Sequence, residues 1–112
     1  MDKLNEYRNS IEEVLNWYGQ FQPRECEEYE RQVLFDRERD HYLVLDVGWD
    51  YPHRIYNCLV HLDIKGGKIW VQEDVTDPGV VGRLMDRGIP REDIVLAFHA
   101  PYKRPYTEFA AA

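Results

Sequence analysis

Residues 35–49 read FDRERDHYLVLDVGW, and the fold turns on where the charged half ends and the apolar half begins. Beyond the charges, Leu43, Leu45, Val47 and Trp49 occupy alternate positions, and Tyr42, Val44, Asp46 and Gly48 fill the gaps. Alternation with period two predicts a strand with two unlike faces. The odd-numbered set is the more apolar, so it is expected to face the core. The preceding DRERDH then falls where a hairpin must turn. Its alternating signs are expected to pair with one another in solvent, where each pair contributes only about 0–1 kcal/mol.

The same period continues on either side. Strands are expected over about 30–36, 42–49, 54–65 and 68–74. In RIYNCLVHLDI, the even positions Tyr56, Cys58, Val60, Leu62 and Ile64 are apolar, whereas Asn57, His61 and Asp63 are polar. That is the pattern of antiparallel strands with one face in water. Gly66-Gly67 supplies the positive φ values of a tight hairpin turn. Short links favour pairing of successive strands, hence a four-stranded meander.

Helices flank it. Leu4, Tyr7, Ile11, Val14, Leu15 and Tyr18 form one stripe over residues 3–20, with Asp2 as N-cap and Gly19 as stop. QFQPRECEEY links this helix to the sheet. A second helix carries Val80, Val81, Leu84 and Met85, capped by Thr76 or Asp77, with Pro78 in its first turn and Gly88 at C′. IVLAFH, residues 94–99, reads as a closing buried strand or extended segment, and the tail APYKRPYTEFAAA as irregular or extended chain. The expected fold is a single α+β domain over residues 1–112: N-terminal helix, four-stranded antiparallel meander, second helix and closing C-terminal strand.

The 112 residues suffice for one core without staples. Fourteen basic against twenty-one acidic residues leave a net charge of −7, a poor footprint for autonomous nucleic-acid binding. A DNA-binding alternative requires Arg54, Lys65, Lys68, Lys103 and Arg104 to gather on one face. No secretory leader and no apolar run of membrane-span length is visible, which predicts a cytoplasmic protein without a membrane. Cys26 and Cys58 lack zinc or CxxC spacing; they allow one disulfide or two reduced thiols, and the cytoplasmic reading favours the thiols, Cys58 in the core and Cys26 in a loop.

Catalytic patterns are missing. There is no GxSxG, P-loop, GxGxxG after a strand or HExxH. Ser10 is the only serine and lies on the polar side of the first helix. Cys58 and His61 are expected on opposite faces of their strand, which separates a thiolate from its base. A metal-dependent hydrolase would recruit Asp36, Asp40, His41, His61 and Asp63. His61 and Asp63 share a face, but that face is read as open, a poor cage for zinc. The expectation is therefore no catalytic residues, no metal and no cofactor. Candidate partner-interface residues are Trp49, Trp70, Tyr102, Arg104, Tyr106 and Phe109, an aromatic and arginine set suited to protein contacts.

FDRERDHYLVLDVGW, RIYNCLVHLDIKGGKIWVQEDVTD and GIPREDIVLAFHAPYKRPYTEFA, with the opening MDKLNEYRNSIEEVLNWY, resemble the XisI family. These are FdxN element excision controlling factors of cyanobacteria, linked to DNA rearrangement in heterocysts. The resemblance spans nearly the whole chain. It implies a regulatory, non-catalytic accessory protein that acts with an XisH-like partner while a separate recombinase cuts the DNA. Association with DNA would be indirect, through the partner. A two-fold homodimer suits the aromatic-rich sheet. The resemblance supplies no catalytic residue.

Overall fold

The computed structural model describes residues 2–24 and 28–112, so the expectation for Cys26 lies outside the described residues. Helix α1 (Lys3–Gly19) starts at Asp2, whose carboxylate accepts the Leu4 amide at 3.0 Å, satisfying a donor left free at every helix start. Its apolar stripe is the buried one, with Tyr7, Ile11, Val14, Leu15 and Tyr18 in the core. Gly19 does not stop the helix; it is the last helical residue, and Gln20 is the C-cap. What Gly19 provides is room, since a Cβ there would lie 2.5 Å from Val33 Cγ2.

Strands β1 (Glu28–Asp36), β2 (His41–Asp50), β3 (His53–Lys65) and β4 (Lys68–Asp74) form the antiparallel meander. Gly66 and Gly67, at φ 60° and 77°, close the β3–β4 hairpin, the left-handed pair that a two-residue turn requires. Helix α2 (Val80–Asp86) then leads to β5 (Ile94–Leu96), which joins β4 in parallel, so the sheet order follows the chain. Both helices contribute to one core with the inner sheet face: Ile11, Leu15, Val80 and Leu84 cluster with Tyr42, Val44, Val60, Leu62, Ile69, Val71 and Ile94.

The inner face of β2 is the even-numbered one, contrary to expectation: Tyr42, Val44 and Asp46 are buried, while Leu43, Leu45 and Val47 are half-buried on the other side. The two polar-bearing side chains that β2 turns inward, Tyr42 and Asp46, are both hydrogen-bonded. Arg31 Nε and Nη2 donate to the two Asp46 oxygens at 2.8 and 3.1 Å, and the Tyr42 hydroxyl donates to Asp40 at 2.8 Å. A buried polar atom with a bond no longer opposes burial. Gly48 sits at φ 148°, where a Cβ would meet the Glu28 carbonyl oxygen at 2.3 Å.

The apolar run of β3 is split by a bulge. Val44 pairs with Val60 but Leu45 pairs with Cys58, so Leu59 is the extra residue. A one-residue insertion reverses facing beyond it. Val60, Leu62 and Ile64 stay inside, whereas Tyr56 and Cys58 move to the outer face, correcting the core placement of Cys58. A second irregularity between His61 and Leu62 makes Gln72 extra on β4 and leaves Asp74 opposite the inward Val60. Asp74 then caps α2: its Oδ2 accepts the Val80 amide at 2.7 Å and its Oδ1 the Thr76 amide at 3.0 Å. Neither Thr76 nor Asp77 serves as cap residue; Gly79 holds that position. Gly88, at φ 89°, ends α2 as expected, its amide on the Met85 carbonyl and that of Ile89 on Leu84.

The turn charges do more than pair in solvent. Only Asp36 and Arg39 do so. Asp40 receives both Nε and Nη2 of Arg8 in α1, at 2.8 and 3.1 Å, and Arg37 reaches Asn5, Asn9 and Glu12 of the same helix. The turn thus fastens α1 to the sheet. Asp93 does likewise at the helix start, accepting from the Tyr7 hydroxyl and pairing with Lys3 at 2.7 Å.

The closing strand ends at Leu96, earlier than expected, because the Arg104 guanidinium takes the Ala97 and His99 carbonyls at 3.1 and 3.0 Å. The tail makes one short 3-10 turn (Arg104–Tyr106), and Ala110 bridges back to Val95.

Two outcomes test this arrangement. Ile11→Ala removes a fully buried side chain and is expected to cost about 2–5 kcal/mol in urea unfolding, with Leu43→Ala costing far less; equal losses would put α1 on the wrong face. The Arg8 guanidinium and then the Tyr42 hydroxyl hold the Asp40 carboxyl below its ordinary value, and Lys3 and then Tyr7 do the same for Asp93. Depressed carboxylates stabilise fully above the unfolded value of about 3.9 and lose that contribution as pH falls through the lower folded value. Unfolding free energy should therefore drop below about pH 4, and less steeply in Asp40→Asn.

Candidate functional site

Because both helices lie on one side, the outer sheet face carries the remaining chemistry. Leu34, Leu43, Leu45 and Val47 run across β1 and β2, and the bulge adds Cys58 and Tyr56 from β3. β4 reaches only as far as the Val60–Asp74 pair, so the β2–β3 hairpin end projects past it. At that tip Trp49 stacks on Tyr51 with ring centroids 5.5 Å apart and planes 16° from parallel. Arg54 lies over Trp49 at 5.6 Å and donates to the Gly48 carbonyl at 3.0 Å. Tyr51 and Tyr56 are exposed beside them; the sequence reading missed both. The length of β3 against β4 was the available signal, since a strand nearly twice its neighbour's length must overhang.

The other end holds Trp70. Its Nε1 donates to the Lys65 carbonyl at 3.0 Å, with Lys65 Nζ 4.3 Å and the Arg104 guanidinium 5.4 Å from the ring. The structure thus joins Trp70 with Arg104 and leaves Trp49 at the opposite end. Phe109 packs against the core, while Tyr102 and Tyr106 are 72% and 90% exposed. The five cations considered for DNA do not all gather: Lys65 and Arg104 meet at Trp70, with Lys68 paired to Lys65 across the hairpin, but Arg54 stands eleven residues down β3 from Lys65, about 36 Å at strand rise.

Three further side chains converge at this Trp70 end, Asp63 being the register partner of Trp70. His41 at the start of β2 pairs directly with Asp63 on β3, and His61 lies two residues before Asp63 on the same face. Asp63 Oδ1 is 2.7 Å from His41 Nδ1 and 2.9 Å from His61 Nε2, and Gln72 Nε2 donates to Oδ2 at 3.2 Å. Burial pushes the Asp63 carboxyl up, but the two imidazole hydrogen bonds outweigh it and hold the group below its ordinary value. Asp36 and Asp40, grouped with these residues in the sequence reading, are committed to Arg39 and Arg8 instead.

Cys58 and His61 share the outer face, contrary to the simple parity argument, because the Leu59 bulge lies between them. They still form no couple. Cys58 Sγ donates to the Val60 carbonyl at 3.5 Å, and burial, then the Glu73 charge, push its pKa up. An inert thiol is the consequence.

Fold and site together define a two-layer α+β protein with helices on one sheet face and an aromatic, histidine-bearing surface left open on the other. The family model for XisI, described as "XisI protein", matches residues 1–111, and the chain belongs to the XisI family. Two solved structures from Anabaena variabilis ATCC 29413 are similar along the chain. A XisI-like protein is 39% identical with a TM-score of 0.87, covering 99% of this chain and 100% of its own. The fdxN element excision controlling factor XisI is 40% identical, also with a TM-score of 0.87 and the same coverage. No curated protein matches. Among the described residues, no helix is long and apolar enough to cross a membrane.

In a Cys26→Ser background, Cys58 is expected to react with a disulfide reagent at pH 7 more slowly than free cysteine, whose pKa is about 8.5. Reaction as fast as the free amino acid would remove the burial argument.

Proposed function

We propose that this protein is a non-catalytic, cytoplasmic accessory factor that controls excision of a DNA element by binding an XisH-like partner, with DNA cutting left to a separate recombinase. The observation that carries the reading is the end-to-end likeness to a structure named as an excision controlling factor, at 40% identity. The open face supports it physically. Exposed aromatics with an adjacent arginine are the composition of protein-binding hot spots, and Trp49, Tyr51, Tyr56 and Arg54 form such a group at the hairpin tip. Tyr102 and Tyr106 extend the candidate surface from the tail, with Trp70 and Arg104 beneath. Phe109 contributes by holding the tail on the core rather than by contact. The net charge of −7 favours an indirect association with DNA through the partner.

Co-expression with an XisH-like chain and size-exclusion chromatography tests the proposal. Co-elution at micromolar concentration is expected, and Trp49→Ala should weaken the complex by about tenfold or more, the scale of a hot-spot truncation. Separate elution would remove the partner reading. A salt-dependent mobility shift by the isolated chain would favour direct DNA binding in its place.

A further inference from the structure

The trio on the outer face has a property that the partner reading does not use. His41, His61 and Asp63 each offer one ligand atom, and the three atoms lie within 4.8 Å of one another. They come from adjacent antiparallel strands: His41 directly opposite Asp63, and His61 two residues along on the same side. Three donors on rigid strands are held more narrowly than donors on loops. We propose that His41, His61 and Asp63 form a binding site for a divalent transition metal of the zinc type.

The donor set fits that class. Two imidazole nitrogens and one carboxylate oxygen suit zinc, cobalt or nickel over calcium or magnesium, which take oxygen ligands. Metal–ligand bonds of about 2.0–2.1 Å in a tetrahedron separate neighbouring ligand atoms by about 3.3 Å. The present separations from Asp63 Oδ1, 2.7 and 2.9 Å, need widening by about half an ångström, and the two ring nitrogens, within 4.8 Å of each other, close by at most about 1.5 Å, a movement that rotation of the exposed His41 ring supplies. The nitrogens now aimed at Asp63 are His41 Nδ1 and His61 Nε2, and these become the ligand atoms. A neutral imidazole carries its proton to the far nitrogen, and a protonated one releases it to solvent. Gln72, bound to Asp63 Oδ2 at 3.2 Å, orients the carboxylate as outer partners of metal ligands commonly do. The side chain of His41 is 53% exposed and that of His61 34%. The ion therefore enters from solvent, and water completes its coordination. Such a site is open, in contrast with the closed four-ligand cage of a structural zinc.

The protein with any affinity tag removed should bind one Co²⁺ or Zn²⁺ per chain at micromolar concentration. Bound Co²⁺ should give the visible absorption of a low-symmetry, four-coordinate site. His61→Ala and Asp63→Ala should each weaken binding by more than tenfold, and Gln72→Ala by about tenfold, the usual effect of losing an outer partner. The Cys26→Ser/Cys58→Ser double variant should bind as the parent does. His61, Asp63, Gln72 and Cys58 are outside the helix-packed core, and circular dichroism checks that each variant folds. Absence of saturable binding at micromolar metal overturns the proposal. So does binding that survives both ligand substitutions, or that disappears in the cysteine double variant. None of these outcomes depends on the XisH-like partner, so the two readings fail separately.

Discussion

The seating of one helix stripe on one sheet face is the interaction on which the molecule depends. Ile11 and Leu15 of α1 are fully buried together with Tyr42 and Val44 of β2 and Val60 and Leu62 of β3. A 17-residue helix is marginal alone in water, and burial of its apolar stripe makes it persistent. The sheet gains in turn, since antiparallel strands need a covered face for stability. The two helices have no residues left to cover the second face, which is consequently free to carry recognition or ligand chemistry. The helix-packed core thus lies on one side of the sheet and the aromatic and histidine side chains on the other.

Carboxylates at the rim fix that seating. Asp40 takes Arg8 from the helix and the hydroxyl of Tyr42 from the sheet, so a single side chain bridges the two layers. Asp93, just ahead of β5, holds the same N-terminal part of the helix through Tyr7 and Lys3. Asp46 is held by Arg31, and Asp74 closes the start of α2. Asp40 and Asp93 are held below their ordinary pKa, Asp46 and Asp74 are hydrogen-bonded, and Tyr7 and Tyr42 are raised by burial and by the carboxylates they meet. Exposed ion pairs contribute little, but partly buried, multiply bonded ones set geometry as well as energy. Part of the acidic excess is accordingly structural, and the net charge says less about partners than a solvated charge of equal size would.

Most of the architecture was legible because period and turn chemistry agreed. The α1 stripe, the four meander strands, the Gly66-Gly67 turn and the Gly88 stop stand where local rules put them. Facing was harder. Counting apolar residues on β2 favours Leu43, Leu45 and Val47, and the count fails because Tyr42 and Asp46 bring their partners with them. On β3 the even positions are apolar from Tyr56 to Ile64, and the run Cys58-Leu59-Val60 interrupts the alternation where the bulge falls, but pairing with β2 is what fixes the extra residue. That one residue decides whether Cys58 and His61 share a side. The charged turn was placed correctly but understated, since its partners, Asn5, Arg8, Asn9 and Glu12, lie some thirty positions earlier. Of the site, His61 and Asp63 could be placed together from parity, while His41 joined them only through the β2–β3 register.

The open face is uneven, and the unevenness follows from strand lengths. β4 and β5 support only one end of β3, so there the outer residues are flanked by Trp70, Gln72 and the returning tail. The His41–His61–Asp63 group lies at this supported end, where a neighbouring side chain, Gln72, can hold a carboxylate in place. The hairpin tip has no such neighbour. Trp49, Tyr51 and Arg54 there are ordered by one another through stacking and cation–π contact. A precise ligand geometry requires the first kind of support, and an adaptable protein contact tolerates the second. Exposed aromatic surface also carries an aggregation cost that a monomeric protein has no reason to retain. The division of the face into a braced polar end and an overhanging aromatic end is therefore the one that the two proposed uses, a small ligand and a macromolecular contact, require.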